Sequence, residues 1–329
     1  MTDRDYVRRA LFVAERGRGT TSPNPVVGAV IVSDDDIVVG QGAHRIAGGP
    51  HAEVIAIESA GALARGATLY CTLEPCSHTG RTGPCCERVA EAGIARVVIA
   101  AGDPNPQVNG RGIAYLKNHG VRVDMAGVEE QRAASQQNSG FFTWVRRARP
   151  HVTLKAAISN DGFAGHADRP SKLTSIRMDR WMHRQRAEID AIAVGANTIL
   201  VDDPLLTPRL VYRQRPLTRV IFDRRGRVPP TARVFSTRDA GPVLVTKATI
   251  AAELEHLGRQ GILSLLVEGG PALHRAFWEA GCVDRVQLIQ TPAVLGRGIA
   301  AFRPPAPPDA QQRRIGDDLL IEWHVHRTD

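Results

Sequence analysis

Apolar and polar positions fall along this chain in two successive blocks of mixed helix and strand pattern. In the first block Tyr6, Ala10, Val13 and Ala14 recur at helical spacing and predict a helix over residues 3–16, ended by Gly17 and Gly19. Ser22-Pro23-Asn24-Pro25 predicts a turn, and the apolar run 26–32 a strand buried on both faces. A second strand over 37–40 pairs with it across residues 33–36. A helix is expected from His51 to about Ser59, a strand over 68–73, a helix over 84–92 and a strand over 97–100. After a loop at Asp103-Pro104-Asn105-Pro106-Gln107 come a short helix over 112–118, a strand over 121–125 and one closing helix over 129–145.

Arg146-Arg147-Ala148-Arg149-Pro150 interrupts the pattern with charge and a proline, and two domains are expected, 1–147 and 148–329. The second block opens with a strand over 151–157. Helical patterns follow over 175–188 and 195–201, with strands at 189–194, 218–222, 243–245, 263–267 and 286–290. The proline-rich stretch 303–308 predicts a surface loop before a last strand around 319–325. Strands alternating with helices through short loops argue for an α/β fold class, two layered α/β domains. No period of 20–50 residues recurs, which excludes a solenoid.

Composition narrows the class. In 329 residues, 43% are hydrophobic and 23% charged, as in a globular chain. The first residues are charged and lack an apolar signal core. No stretch reaches the ~18 apolar residues of a membrane span, so no membrane partner is expected. Five cysteines, clustered mostly between residues 71 and 86, suggest a reducing compartment and a cytoplasmic location. The formal net charge of +8 raises the question of nucleic acid. Of the 42 basic residues only Lys117, Lys155, Lys172 and Lys247 are lysines. The arginines are dispersed, with no basic tail and no aromatic interleaving. No nucleic-acid partner is expected; the excess would steer a small anionic substrate.

The candidate chemistry lies between His51 and Cys86. His51, Cys76 and Cys85 supply the imidazole and two thiolates of an open zinc site, with the fourth position left to water. Zinc lowers the pKa of that water to about 7. Glu53 fits the proton shuttle that moves the water's proton to the ring nitrogen and the departing amine. Residues two apart in mid-helix diverge by roughly 200°, so His51 and Glu53 are placed at a loop-to-helix junction after Gly48-Gly49-Pro50. Pro84 suits the first turn of another helix, which would put Cys85 where the helix dipole favours a thiolate. Cys86 is the alternative third ligand. The general nucleobase deaminase signature is H-x-E followed by P-C-x-x-C, whereas here eight residues separate Cys76 from Cys85. A structural zinc, or two buried thiols, is the competing reading, though neither needs Glu53. Asn24, at the mouth of a strand, offers an amide to a heterocycle edge; turn chemistry alone also explains it.

In the second half Glu268-Gly269-Gly270-Pro271 runs from strand to glycine turn to helix, an arrangement that offers backbone N–H groups to an anion. A tight turn explains it equally well. Lys155 lies within an apolar strand, where a charge is costly unless paired or functional. These residues by themselves imply a second α/β domain, with nucleotide binding as one reading of its glycine turn.

Taken together the motifs resemble those of the bifunctional riboflavin-biosynthesis deaminase/reductase family. Ser22-Pro23-Asn24-Pro25-x-Val27-Gly28, Gly48-x-Pro50-His51-Ala52-Glu53 and Thr72-Leu73-Glu74-Pro75-Cys76-Ser77-His78 match its deaminase half. Gly80-Arg81-Thr82-x-Pro84-Cys85-Cys86 and Asp103-Pro104-Asn105-Pro106-x-Val108-x-Gly110-Arg111-Gly112 match it too, and the long spacing between the cysteines is this family's own form. Thr153-Leu154-Lys155, Ser159-x-Asp161-Gly162, Arg186-Ala187-Glu188, Asp202-Asp203-Pro204-x-Leu206-Thr207-x-Arg209 and Glu268-Gly269-Gly270-Pro271 resemble its reductase half. The resemblance implies an N-terminal cytidine-deaminase-like domain and a C-terminal domain similar in fold to dihydrofolate reductase. It implies Zn²⁺ and NADPH as cofactors, a small-molecule phosphorylated pyrimidine as substrate, and a homo-oligomer, dimer or tetramer. Two reactions would follow in order, hydrolytic loss of an amino group and reduction of the ribosyl group to ribityl. Lys155, Arg186, Leu206, Arg209 and Glu268 would contact substrate, together with Asn24 in the deaminase half. Ala157, Lys172, Thr198, Asp202, Gly270, Pro271 and Ala272 would contact NADPH. Lys172 stands where the family usually has a tryptophan, and Asn160 where it has a leucine before Asp161-Gly162. A degenerate reductase half that serves binding or oligomerisation is the alternative.

Overall fold

The structure is a computed structural model that describes residues 1–77, 83–105 and 108–325. His78, Gly80, Arg81, Thr82, Pro106 and Gln107 of the motifs above lie outside the described residues. The chain divides into two compact units, Met1–Arg147 and Ala148–Asp329.

The first unit runs α1 (Asp3–Ala14), β1 (Gly28–Val32), β2 (Val38–Ala43), α2 (Ala52–Ala60), β3 (Thr68–Cys71), α3 (Cys85–Glu91), β4 (Arg96–Ile99), α4 (Arg111–Asn118), β5 (Arg122–Met125), α5 (Val128–Gln137) and α6 (Ser139–Arg147). Its sheet has the order β2-β1-β3-β4-β5. β1 is antiparallel to both neighbours and β3, β4 and β5 are parallel. Every residue of β1 is buried, as an apolar strand with helices against it requires. The expected single closing helix is instead two, α5 and α6, broken at Asn138. There the side chain leaves the helix pattern to pair with the Val26 backbone, accepting from its N–H at 2.8 Å and donating to its carbonyl at 2.9 Å. Side-chain amides compete with helical hydrogen bonds in this way.

Glycine sets the position of α2. A Cβ at Gly42 would stand 2.2 Å from the Ala52 carbonyl oxygen, so only a glycine lets β2 and the first turn of α2 approach this closely. That first turn carries Glu53, and His51 is its N-cap residue.

The second unit runs β6 (His151–Ile158), β7 (Phe163–Gly165), α7 (Ile176–Glu188), β8 (Ala191–Gly195), α8 (Ala196–Asp202), β9 (Thr218–Phe222), β10 (Val243–Thr246), α9 (Ile250–Arg259), β11 (Ser264–Gly269), α10 (Pro271–Glu279), β12 (Arg285–Gln290), β13 (Ile299–Ala300), β14 (Gln311–Ile315) and β15 (Asp318–His324). Its main sheet has the order β10-β9-β8-β11-β6-β12-β15-β14. The first six strands are parallel, and β15 and β14 close the far edge antiparallel. β13 pairs with β7 in a separate ribbon. Ligands of open parallel sheets bind beyond the carboxyl ends of the strands, and here β6, β8, β9 and β11 end beside one cleft. No helix among the described residues is long and apolar enough to cross a membrane.

Candidate active sites

His51, Cys76 and Cys85 come together from three segments. His51 is delivered by the turn before α2, Cys76 by the loop after β3, and Cys85 is the first residue of α3, with Pro84 just outside as N-cap. One ligand atom from each lies within 4.8 Å of the others. His51 Nδ1 stands 3.0 Å from Cys85 Sγ and 3.5 Å from Cys76 Sγ, and the Cys85 N–H donates to Cys76 Sγ at 3.3 Å. Hydrogen bonding from Cys85 and His51 pulls the Cys76 thiol well below its ordinary value, towards the thiolate form that a metal takes. The donor set, one imidazole and two sulfurs, suits zinc. Cys86 is buried in the apolar core, and burial pushes its thiol up to about 11. It does not belong to the cluster, as its turn of about 100° along the helix from Cys85 requires.

Glu53 is 3% exposed, and burial, reinforced by Cys76, raises its carboxyl to about 7. It lines a cavity of about 420 Å³ with Asn24, His44, His51, Glu74 and Cys76. Asn24 is thus in the site. His44, which none of the quoted motifs contains, fixes it. His44 Nδ1 lies 3.0 Å from the Pro50 carbonyl, which can only accept, so Nδ1 carries the proton. Nε2 must then accept from Asn24 Nδ2, 3.1 Å away, and Asn24 Oδ1 is left to accept from a ligand. Glu74 also lines the cavity, its carboxylate accepting from the N–H groups of Gly110 and Gly112 at 3.0 Å and of Ile113 at 3.3 Å.

In the second unit a cleft of about 1020 Å³ is lined by every residue there that the resemblance would put against substrate or cofactor. Lys155 and Ala157 come from β6, Arg186 from α7, and Thr198 and Asp202 from α8. Leu206 and Arg209 lie in the loop after α8, Glu268 near the end of β11, and Gly270, Pro271 and Ala272 at the start of α10. Leu206 holds a left-handed backbone (φ 54°), a strained conformation for a branched side chain. Arg186 makes a bidentate pair with Glu268, Nε to Oε1 at 2.7 Å and Nη2 to Oε2 at 2.5 Å, and Lys155 Nζ stands 3.9 Å from Oε2. Burial alone would raise the Glu268 carboxyl, yet Arg186 and Lys155 bring it down to about 2. Burial depresses the Lys155 ammonium, with Glu268 opposing. Arg186, one of two arginines expected to contact substrate, therefore has its fork on Glu268, and the other, Arg209, has no carboxylate partner among the described residues.

Thr198 Oγ1 would meet a Cβ on Gly269 at 3.1 Å, so the turn into α10 is kept bare, a cradle that fits a dinucleotide pyrophosphate. Lys172 lies at the rim, 73% exposed, with Nζ 3.7 Å from Asp179 Oδ2. Sequence reasoning passed over three further arginines in the lining, Arg224, Arg225 and Arg227. Their signal was the run Arg224-Arg225-Gly226-Arg227 directly after a predicted strand.

Comparison with known proteins matches a different family description in each unit. Residues 1–101 match the cytidine and deoxycytidylate deaminase zinc-binding region, and residues 150–318 the RibD C-terminal domain. The riboflavin biosynthesis protein RibD of Aquifex aeolicus is 40% identical over 320 residues, covering 91% of this chain and 89% of that protein. That of Escherichia coli is 40% identical over 330 residues, covering 90% and 89%. Among solved structures, RibD of Acinetobacter baumannii superposes with a TM-score of 0.87 at 34% identity, over 98% of this chain and 99% of the other. A diaminohydroxyphosphoribosylaminopyrimidine deaminase/5-amino-6-(5-phosphoribosylamino)uracil reductase of Thermotoga maritima gives 0.87 at 33% identity, over 97% of both.

Proposed function

Because the chain belongs to the RibD family of bifunctional riboflavin-biosynthesis deaminase/reductases, we propose a residue-level division of labour between its two units. The first unit hydrolyses the 2-amino group of 2,5-diamino-6-(5-phosphoribosylamino)pyrimidin-4(3H)-one and releases ammonia. The second reduces the ribosyl group of the product to ribityl, giving 5-amino-6-(5-phosphoribitylamino)uracil. The convergence of His51, Cys76, Cys85 and the buried Glu53 on one cavity carries this reading.

His51, Cys76 and Cys85 would hold zinc, which when bound would supply the Lewis acidity that makes water a nucleophile at neutral pH. Glu53, its carboxyl raised to about 7, accepts a proton from the attacking water and passes it to the ring nitrogen, then takes the proton of the new hydroxyl and passes it to the departing amine, which leaves as ammonia as the carbonyl forms. Asn24 Oδ1 accepts from the heterocycle edge, held in that orientation by His44. Glu74 keeps the loop over the cavity in place through its backbone hydrogen bonds.

In the second unit Arg209 binds the substrate phosphate, and Leu206 shapes the pocket beside it. Glu268, oriented by Arg186, and Lys155 face the ribosyl hydroxyls. The glycine turn with Thr198, Pro271 and Ala272 seats the cofactor, and Ala157, Asp202 and Lys172 line its path. NADPH supplies the hydride; the protein orients the two reactants and excludes water.

The five free cysteines suit a reducing compartment, and we place the protein in the cytoplasm. A homo-oligomer, dimer or tetramer, follows from the family resemblance, and sedimentation of the purified chain reads it. The function is tested with the diaminopyrimidine phosphate, zinc and NADPH, following ammonia release and NADPH oxidation separately. Both signals are expected, in that order. Ammonia alone would make the second unit a degenerate reductase, and neither signal at one zinc per chain would overturn the assignment.

A further inference from the structure

We propose that His183 is a further substrate-binding residue of the second unit, its Nε2 donating a hydrogen bond to the substrate phosphate beside Arg209. The proposal rests on the reductase reading above and adds to it a residue that none of the motifs contains.

The side of α7 that lines the cleft carries Asp179, His183 and Arg186, four and three residues apart and so on one helix face. Two of the three are engaged. Asp179 Oδ1 accepts from the Thr174 hydroxyl at 2.5 Å, and its Oδ2 stands 3.7 Å from Lys172 Nζ. Arg186 holds Glu268 with its fork. His183 is the exception. It is 7% exposed, and its Nδ1 is buried without a hydrogen-bond partner among the described residues. Buried polar side chains are nearly always hydrogen-bonded, so this ring is not explained by the packing of the fold. With Nδ1 closed off, Nε2 is the nitrogen that an occupant of the cleft can reach.

The surroundings of the ring select the chemistry of that occupant. Burial, and then the guanidinium charges of Arg186 and Arg209, hold His183 below its ordinary value, with Glu268 and Asp179 opposing. The ring is therefore neutral at pH 7 and offers an N–H, not a charge. Arg186 Nη1 donates to the Thr207 carbonyl at 3.4 Å, which ties the loop of Arg209 to α7. Glu268 is taken by Arg186 and Lys155, and Arg209 has no carboxylate partner among the described residues. The unbalanced charge beside His183 is thus positive, and the phosphate is the anionic group of the proposed substrate. A phosphate dianion only accepts hydrogen bonds, so its binding keeps the imidazole proton on Nε2. The His183 N–H and the Arg209 fork then converge on the phosphate, and Lys155 and Glu268 are left to the ribosyl hydroxyls.

The test is calorimetric titration of the NADP⁺-saturated full chain with 5-amino-6-(5-phosphoribitylamino)uracil and with its dephosphorylated form. His183→Leu should weaken the phosphorylated ligand roughly 10-fold, the scale of one hydrogen bond to a charged group, and leave the dephosphorylated one within about twofold. His183→Gln returns an amide N–H near the place of Nε2 and should stay within about threefold of wild type on both ligands. If the leucine variant melts early, His183→Glu replaces it. Its carboxylate should cost the phosphorylated ligand at least about 10-fold relative to His183→Gln and spare the other. Unchanged affinity for the phosphorylated ligand, or an equal loss on both ligands, would overturn the phosphate contact alone, provided that wild type oxidises NADPH. A wild-type chain that oxidises no NADPH and binds neither ligand would overturn the reductase reading and this contact with it.

Discussion

Glu53 is separated from His51 by one residue, yet both reach the same cavity because the helix begins between them. His51, as N-cap residue, keeps extended backbone (ψ 160°), and Glu53 already lies in the first turn. The motif made this legible, since an acid two residues from a ligand cannot share its direction in mid-helix. Glu53→Gln keeps the shape and removes the proton acceptor. Deamination should fall roughly 10²- to 10⁴-fold, the usual scale of general acid–base catalysis, with zinc still bound at one per chain by atomic absorption. Near-normal ammonia release in this variant would remove Glu53 from the chemistry. His44 was not legible in the same way. Its role depends on which ring nitrogen faces the Pro50 carbonyl, and only the folded chain brings those atoms together.

Most elements could be read from periodicity because burial follows the pattern. β1, apolar throughout, is buried throughout, and β9 spans the residues its pattern marks. β14 escaped because Gln311-Gln312-Arg313-Arg314-Ile315 is an exposed edge strand with no apolar alternation to find. α9 escaped although Ile250, Leu254 and Leu257 fall at helical spacing behind the N-cap Thr249; that signal was present and unread. The break at Asn138 depends on a partner more than a hundred residues away, which local pattern does not contain. The close approach of α2 to β2 is of the same tertiary kind and carries function. Gly42→Val should force the first turn of α2 away from the sheet. We expect a loss of roughly 1–3 kcal/mol in stability, typical of overpacking, with weakened zinc binding and slower deamination. NADPH oxidation on the deaminated intermediate should remain near wild type. Unaltered melting and unaltered zinc affinity would mean that α2 does not depend on this contact.

Across the molecule the basic surplus proves to be distributed among structural and site roles. Arg219 is fully buried and donates to carbonyls of Val234, Thr237 and Gly241, while Arg149 pairs with Asp284 and Arg96 with Asp3 and Asp124. The histidines set a different whole-molecule property, the response to acid. Burial depresses His151 and His274, both in the second unit, to about 4. An unfolded histidine titrates near 6.5. The unfolded chain therefore takes up protons that the fold refuses, and stability present above pH 6.5 is lost as pH falls towards 4. Each histidine should cost roughly 2 kcal/mol between pH 7 and pH 5. Glu268, held down to about 2, adds a further loss below its ordinary carboxylate range, because its ion pairs fail only as it protonates. Guanidinium unfolding of the second unit, followed through Trp278 and Trp323, should show this slope at both pH values. His151→Phe keeps the buried volume without the titration and should remove about half of the loss between pH 7 and 5. A variant with the wild-type slope would show that His151 accepts its proton inside the fold, and the acid response would then have to come from His274 and the ion pairs of the cleft.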